Sequence, residues 1–184
     1  MAKSALFLDR DGVINYDYGY VHLEEDFNFI EGIFELTSHA FRKNYKIIVI
    51  TNKAGIGKGF YTEDSFIRLN KWMCDVFAKN GINVSWVYYC PNHPDGIGKY
   101  RKSDYRRKHN PGMLLDAQSK FDIDLSSSFF IGDQQTDMEA GNKAGVGCNI
   151  LFNSGSEKLL IDNLEYLTVS NLSLIHISEP TRPY

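Results

Sequence analysis

The stretch FLDRDGVIN, Phe7 to Asn15, places three ionisable residues straight after a short apolar run. Asp9 and Asp11 lie two residues apart; buried together they repel and lose hydration, unless a cation or a substrate needs them. The run is one of five: ALFLD (5–9), KIIVIT (46–51), VSWVYYC (84–90), SFFIGD (128–133) and CNILF (148–152). Most lack the period-two alternation of a half-exposed strand, so they read as strands covered on both faces, as in a parallel sheet. Helical patterns lie between them. Thr62 to Asn80 carries Phe66, Leu69, Met73, Val76 and Phe77 along one face, with Thr62 as N-cap and Gly81 to stop it. Asn110-Pro111 opens another helix, Gln135 or Thr136 opens a third that ends near Gly145, and Ile33 to Lys43 also reads as helical. This alternation predicts an α/β fold: a Rossmann-like, doubly wound, mainly parallel sheet of about five to six strands with helices on both faces.

At 184 residues, with 43% hydrophobic and 14% aromatic content, the chain suits one globular domain, expected over residues 1–171. A net charge of −3 gives no global field for nucleic acid, and none is expected as a partner. No apolar run approaches a membrane span, and Ala5 to Leu8 is too short for a signal-peptide core. Cys74, Cys90 and Cys148, odd in number and widely spaced, suit reduced thiols. A cytoplasmic monomer with no membrane partner is the expectation. Residues 172–184 are set apart. Leu172 to Arg182, LSLIHISEPTR, resembles a translated sequencing-library adapter, so this tail is expected to be non-native and no function is read from His176 or Glu179.

In an open parallel sheet the ligand sits beyond the carboxyl ends of the strands. Polar residues stand at three of those ends: Asp9 and Asp11, Thr51 and Asn52, and Asp133 with Asp137. Carboxylates meeting at one sheet edge suit a hard dication. Magnesium takes one or two of them, keeps waters and shares its remaining positions with phosphate oxygens. Asp9 is placed to attack phosphorus and form an aspartyl-phosphate. Asp11 is placed to protonate the leaving alkoxide and later deprotonate water, a contribution of about 10²–10⁴ in rate. Thr51 and Asn52 offer a hydroxyl, an amide and backbone N–H groups to phosphate oxygens, and a lysine should neutralise the remaining charge. For Asp137, capping the following helix is the competing reading. GIGKG (55–59) is not a nucleotide loop, because Asn52 stands where the first glycine belongs and Gly59 replaces the Ser/Thr ligand. Lys53 and Lys58 read as solvated loop charges.

DRDGVIN (9–15), TN (51–52), RRK (106–108) ahead of PGM (111–113), and GDQQTD (132–137) together resemble the haloacid-dehalogenase superfamily of phosphatases. More narrowly, FLDRDGVIN, ITNKAGIGKG, YYCPNHPDG, KHNPGML and FFIGDQQTDMEAG are similar to the D-glycero-D-manno-heptose 1,7-bisphosphate phosphatases, to which histidinol-phosphate phosphatases are related. The resemblance runs from about Ala5 to Phe152. It implies Asp9 as nucleophile, Asp11 as general acid/base, Thr51 and Asn52 as phosphate ligands, and Lys108 as the neutralising lysine with Arg107 beside it. It implies Mg²⁺ held by Asp9, the Asp11 backbone carbonyl and Asp133, with Asp137 supporting; Arg10 receives no catalytic step. The expected activity is release of the C7 phosphate of heptose bisphosphate through an aspartyl-phosphate, toward a nucleotide-activated heptose. The alternatives are histidinol-phosphate hydrolysis and a non-catalytic sugar-phosphate-binding module of the same fold. No large cap domain is inserted, since Tyr16 to Asp26 is only a short excursion, so a small soluble sugar phosphate is the expected partner.

Cys90 and His93 mark a departure. Many members of the family build a structural zinc site from such a corner plus two cysteines before the RK pair, and Ser103 to Arg107 reads SDYRR. Zinc of that kind takes four N or S ligands, so no structural zinc is expected. Cys90 then reads as a strand-end core residue and His93 as a loop residue. The basic run Lys99, Arg101, Lys102, Arg106, Arg107 and Lys108 reads either as a solvated face or as an anion-attracting rim. Trp86, Tyr88 and Tyr89 are expected in the core.

Overall fold

The computed structural model describes residues 3–153, 167–175 and 177. Among the described residues six parallel strands form one sheet: β1 (Ala5–Leu8), β2 (Lys46–Asn52), β3 (Val84–Cys90), β4 (Phe129–Gly132), β5 (Cys148–Phe152) and β6 (Leu167–Val169). Their spatial order is β3-β2-β1-β4-β5-β6, so β1 is central and the chain winds outward in both directions. Phe7 pairs with Ile48 on one side and Phe130 on the other. The helices are α1 (Ile33–Arg42), α2 (Ala54–Gly57), α3 (Glu63–Lys79), α4 (Gly112–Phe121) and α5 (Gln135–Ala144).

Alternate residues of the buried strands feed two cores. Leu6, Leu8, Ile47 and Val49 pack with Ile33 and Leu36 of α1 and with Met73 and Phe77 of α3. Phe7, Ile48, Ile50 and Phe130 pack on the other face with Met113, Leu114 and Ala117 of α4 and Ala140 of α5. Burying one such side chain stabilises the fold by about 1.5–3 kcal/mol, which is why strands covered on both faces need no polar alternation.

The helix boundaries follow the anticipated chemistry. The Thr62 hydroxyl accepts from the Ser65 amide at 3.1 Å, and Gly145 closes α5 in the left-handed region at φ 81°. The GIGKG segment is mostly a single helical turn, α2, ended by Gly59 at φ 78°. Trp86 departs from the core expectation. It is 46% exposed on the edge strand β3, with the Lys120 ammonium over its ring, whereas Tyr88 is buried and Tyr89 half-buried. An edge strand has a neighbour on one side only, so apolar type alone does not bury it.

Within the segment expected to be a foreign tail, Leu172, Ile175 and Ile177 are buried with the α1-side core. His176 and residues 178–184 lie outside the described residues.

Candidate active site

β1, β2 and β4 end at one edge of the sheet, and their carboxyl ends open into a cavity of about 530 Å³. Asp9, Asp11, Thr51, Asn52, Arg107, Lys108, Asp133 and Asp137, the residues expected to form a site, all border this space. Two glycines make their approach possible. A Cβ on Gly12, held at φ 86°, would collide with the Asp133 carboxylate, and one on Gly132 would collide with Asp137.

Asp9 follows the last residue of β1, and its amide donates to the Ile131 carbonyl of β4 at 3.0 Å. Its Oδ1 accepts from the Arg10 amide at 2.7 Å and faces Lys108 Nζ at 3.0 Å. Lys108 is almost wholly buried; Nζ also reaches Asp137 Oδ1 at 2.6 Å and donates to the Ile50 carbonyl at 2.9 Å. Burial opposes that charge, but Asp137 and Asp9 keep the ammonium firmly protonated. Asn52 grips the lysine backbone from both sides: its amide donates to the Lys108 carbonyl at 2.8 Å and its Oδ1 accepts the Lys108 N–H at 3.0 Å. The side chain expected to face phosphate therefore spends its polar atoms on aligning Lys108.

Asp137 does two jobs at once. Oδ2 accepts from the Asp133 and Gln134 amides at 3.2 and 3.0 Å, closing a capping box at the start of α5, while Oδ1 faces Lys108. Asp133 Oδ1 is buried with no hydrogen-bond partner. Oxygens of Asp9, Asp133 and Asp137 lie within 4.8 Å of one another. Burial first, then the neighbouring carboxylates, pushes the Asp133 carboxyl up to about 8. Burial likewise carries Asp137 to about 6 despite Lys108. Crowded, dehydrated carboxylates with an orphaned oxygen fit a hard dication, which supplies the charge that one lysine cannot.

Asp11 lives differently. Arg10 Nη2 donates to its Oδ1 at 2.8 Å, Asn15 Nδ2 donates to the same oxygen at 3.1 Å, and Lys53 Nζ pairs with Oδ2. Burial would raise this carboxyl, but the Lys53 and Arg10 cations override it and hold it well below the usual carboxylate range. Lys53 is no solvated loop charge. It is 3% exposed, and burial, with the Arg10 charge adding to it, brings its ammonium down to about 8. Arg10 is fully buried between the rings of Phe27 and Phe66, at 5.6 and 5.5 Å from their centroids. No local signal in NKAG marks Lys53, because the partner that buries it lies far off in sequence. Arg107, half-buried, donates through Nη1 to the Asn92 carbonyl at 3.3 Å, and His93 and Lys58 share its side of the cavity. Lys99, Arg101, Lys102 and Arg106 are exposed. Among the described residues, no group of three His, Cys, Asp or Glu at ligand distance includes Cys90 or His93.

An aspartate-bearing strand end, a buried lysine and a carboxylate cluster at one edge of a doubly wound sheet are the features of a HAD-like hydrolase, and residues 105–163 match the HAD-hydrolase-like family model. The chain is 53% identical over 152 residues to the D-glycero-alpha-D-manno-heptose-1,7-bisphosphate 7-phosphatase of Burkholderia mallei, covering 82% of this chain and 80% of that protein. It is 49% identical over 156 residues to the D-glycero-beta-D-manno-heptose-1,7-bisphosphate 7-phosphatase of Vibrio cholerae, covering 84% of each. The crystal structure of D,D-heptose 1,7-bisphosphate phosphatase from B. bronchiseptica, complexed with magnesium and phosphate, superposes with TM-score 0.78 at 22% identity, covering 92% of this chain and 94% of that one. The chain belongs to the D-glycero-D-manno-heptose-1,7-bisphosphate 7-phosphatase family.

Proposed function

We propose that this protein is a magnesium-dependent phosphatase that removes the C7 phosphate of D-glycero-D-manno-heptose 1,7-bisphosphate. The observation that carries the reading is the Asp9 carboxylate, fixed through Oδ1 by Lys108 and its neighbour's amide, beside an Asp133 oxygen that has no partner. Asp9, the Asp11 carbonyl and Asp133 would hold Mg²⁺, with Asp137 supporting. When bound, the ion supplies charge stabilisation to the phosphoryl oxygens.

Asp9 attacks phosphorus as the bond to the C7 oxygen breaks, and the departing alkoxide takes its proton through Asp11, which Lys53 and Arg10 hold ionised in the free protein and which is loaded with that proton as substrate binds. Asp11 then takes a proton from water, whose oxygen attacks the aspartyl-phosphate and releases inorganic phosphate, restoring Asp9 and a protonated Asp11. Lys108 offsets charge on the phosphoryl group and on Asp9, and Thr51, buried at the end of β2, offers its hydroxyl to a phosphate oxygen. Arg107 stands on the same wall to bind substrate. The cavity is open enough for a small sugar phosphate, and among the described residues no helix is long and apolar enough to cross a membrane.

The test is phosphate release with Mg²⁺ and with chelator from both anomers of heptose bisphosphate and from histidinol phosphate, with Asp9→Asn alongside. Mg²⁺-dependent turnover of a heptose anomer, lost in the variant, is expected. Preference for histidinol phosphate would keep the chemistry and replace the substrate. No release from any of the three by folded protein would leave a sugar-phosphate-binding module.

A further inference from the structure

The segment that carries Arg107 and Lys108 is anchored at its far end by a side-chain knot that the chemistry above does not use. Asn92 Nδ2 donates to Asp104 Oδ2 at 2.5 Å, and Asp104 Oδ1 accepts the Arg106 amide at 2.8 Å. The Asp104 carbonyl accepts the Arg107 N–H at 3.0 Å, and the Asn92 carbonyl receives Arg107 Nη1. Asn92 is 8% exposed, and Cys90, 1% exposed, ends β3 two residues before it. Burial opposes the Asp104 charge, yet the Arg106 amide, the Asn92 amide and the Cys90 thiol together hold its carboxyl below the ordinary value. Each end of the knot thus touches Arg107: the Asp104 carbonyl takes its N–H, and the Asn92 carbonyl takes its guanidinium.

We infer that Asn92 and Asp104 are positioning residues, whose mutual hydrogen bond sets the place of Arg107 on the cavity wall. Lys108 does not depend on them to the same degree, because Asn52 clasps its backbone from the opposite side. Loosening the knot therefore moves Arg107 more than Lys108. The defect falls on substrate binding and spares the chemical step. This inference rests on the phosphatase reading, since it assigns Arg107 to the substrate.

The donor–acceptor pattern makes the knot testable by exchange. In Asp104→Asn one hydrogen bond is lost whichever way the new amide turns, because it must face both the Asn92 amide and the Arg106 N–H. In Asn92→Asp two carboxylates meet. The double variant N92D/D104N restores complementarity with the roles reversed. Steady-state kinetics on the preferred heptose bisphosphate should show KM raised by roughly tenfold in each single variant, the scale of one buried hydrogen bond. We expect kcat to stay within about threefold, and the double variant to return toward wild type, as coupled pairs do. Single variants with wild-type KM, a loss confined to kcat, or a double variant no better than the worse single would each overturn the proposal. If the single variants fail to fold, recovery of folded enzyme with wild-type KM in the double variant supports it, and failure to recover overturns it. Mass-resolved maleimide labelling of Cys90 separates this proposal from the functional reading. Labelling that rises in the single variants and falls again in the double, in a protein that hydrolyses no ester, would keep the knot while removing the phosphatase; labelling unchanged throughout would remove the knot.

Discussion

On one side of the cavity the Asp11 carboxylate is wedged between Lys53 and Arg10; on the other, Asp9, Asp133 and Asp137 crowd around Lys108. The same side-chain type is held ionised on the first side and pushed toward its neutral form on the second, where Asp133 rises to about 8. The difference teaches how one cavity divides its labour. Where cations already match the anions, a carboxylate stays ionised unaided; where they do not, crowding and burial raise the carboxyls and leave a deficit of positive charge of the kind a dication offsets.

That contrast can be broken most severely at Asp9. Asp9→Asn removes the oxygen proposed to attack phosphorus and is expected to lower kcat by ~10⁴-fold or more, the scale of losing a covalent nucleophile, with folding intact by circular dichroism. Next comes Lys108→Met, which leaves Asp9 and Asp137 without their counterion. Removing one member of a buried pair costs about 3–5 kcal/mol, so a calorimetric Tm should fall by roughly 10 °C while kcat drops by ~10²–10³.

The ion-deficient side is sharpened by pH. Asp133 and Asp137 bind protons in the folded protein that the unfolded chain has already released above pH ~4, so stability without metal falls as pH rises from about 4 to 8. Melting of the chelated protein should therefore be higher at pH 5 than at pH 8. Mg²⁺ at a hundred times its Kd should restore about 2.7 kcal/mol at pH 8, and an Asp133→Ala variant should keep only the shallower slope that Asp137 gives below about pH 6 and lose the full restoration. The smallest effect is on the other side. Lys53→Gln removes one of the cations that keep Asp11 ionised, so the Asp11 carboxyl rises. With more of Asp11 protonated, kcat at pH 7.5 should change by about tenfold or less.

The sheet was legible because doubly covered strands write themselves as continuous apolar runs. β6 was not, since Leu167–Val169 is short and its leucine is 60% exposed. Trp86 misled for the related reason that an edge strand carries apolar residues it does not bury. The polar residues at three strand ends could be placed at one edge because parallel topology brings those ends together. What stayed hidden were contacts made between distant segments. Lys53 meets Asp11 across 42 residues, and Asn52 meets Lys108 across 56. A lone loop lysine or a strand-end asparagine carries no periodic signal of such a partner.

The turn ahead of Arg107 is knotted by an amide, a carboxylate and backbone groups, so every component of the fastening is encoded in the chain and made when the chain is made. Among the described residues, that fastening consists of hydrogen bonds made within the one chain. Cys90 is the turn's one thiol and is shielded, so an oxidant finds no neighbouring sulfur there to couple it with.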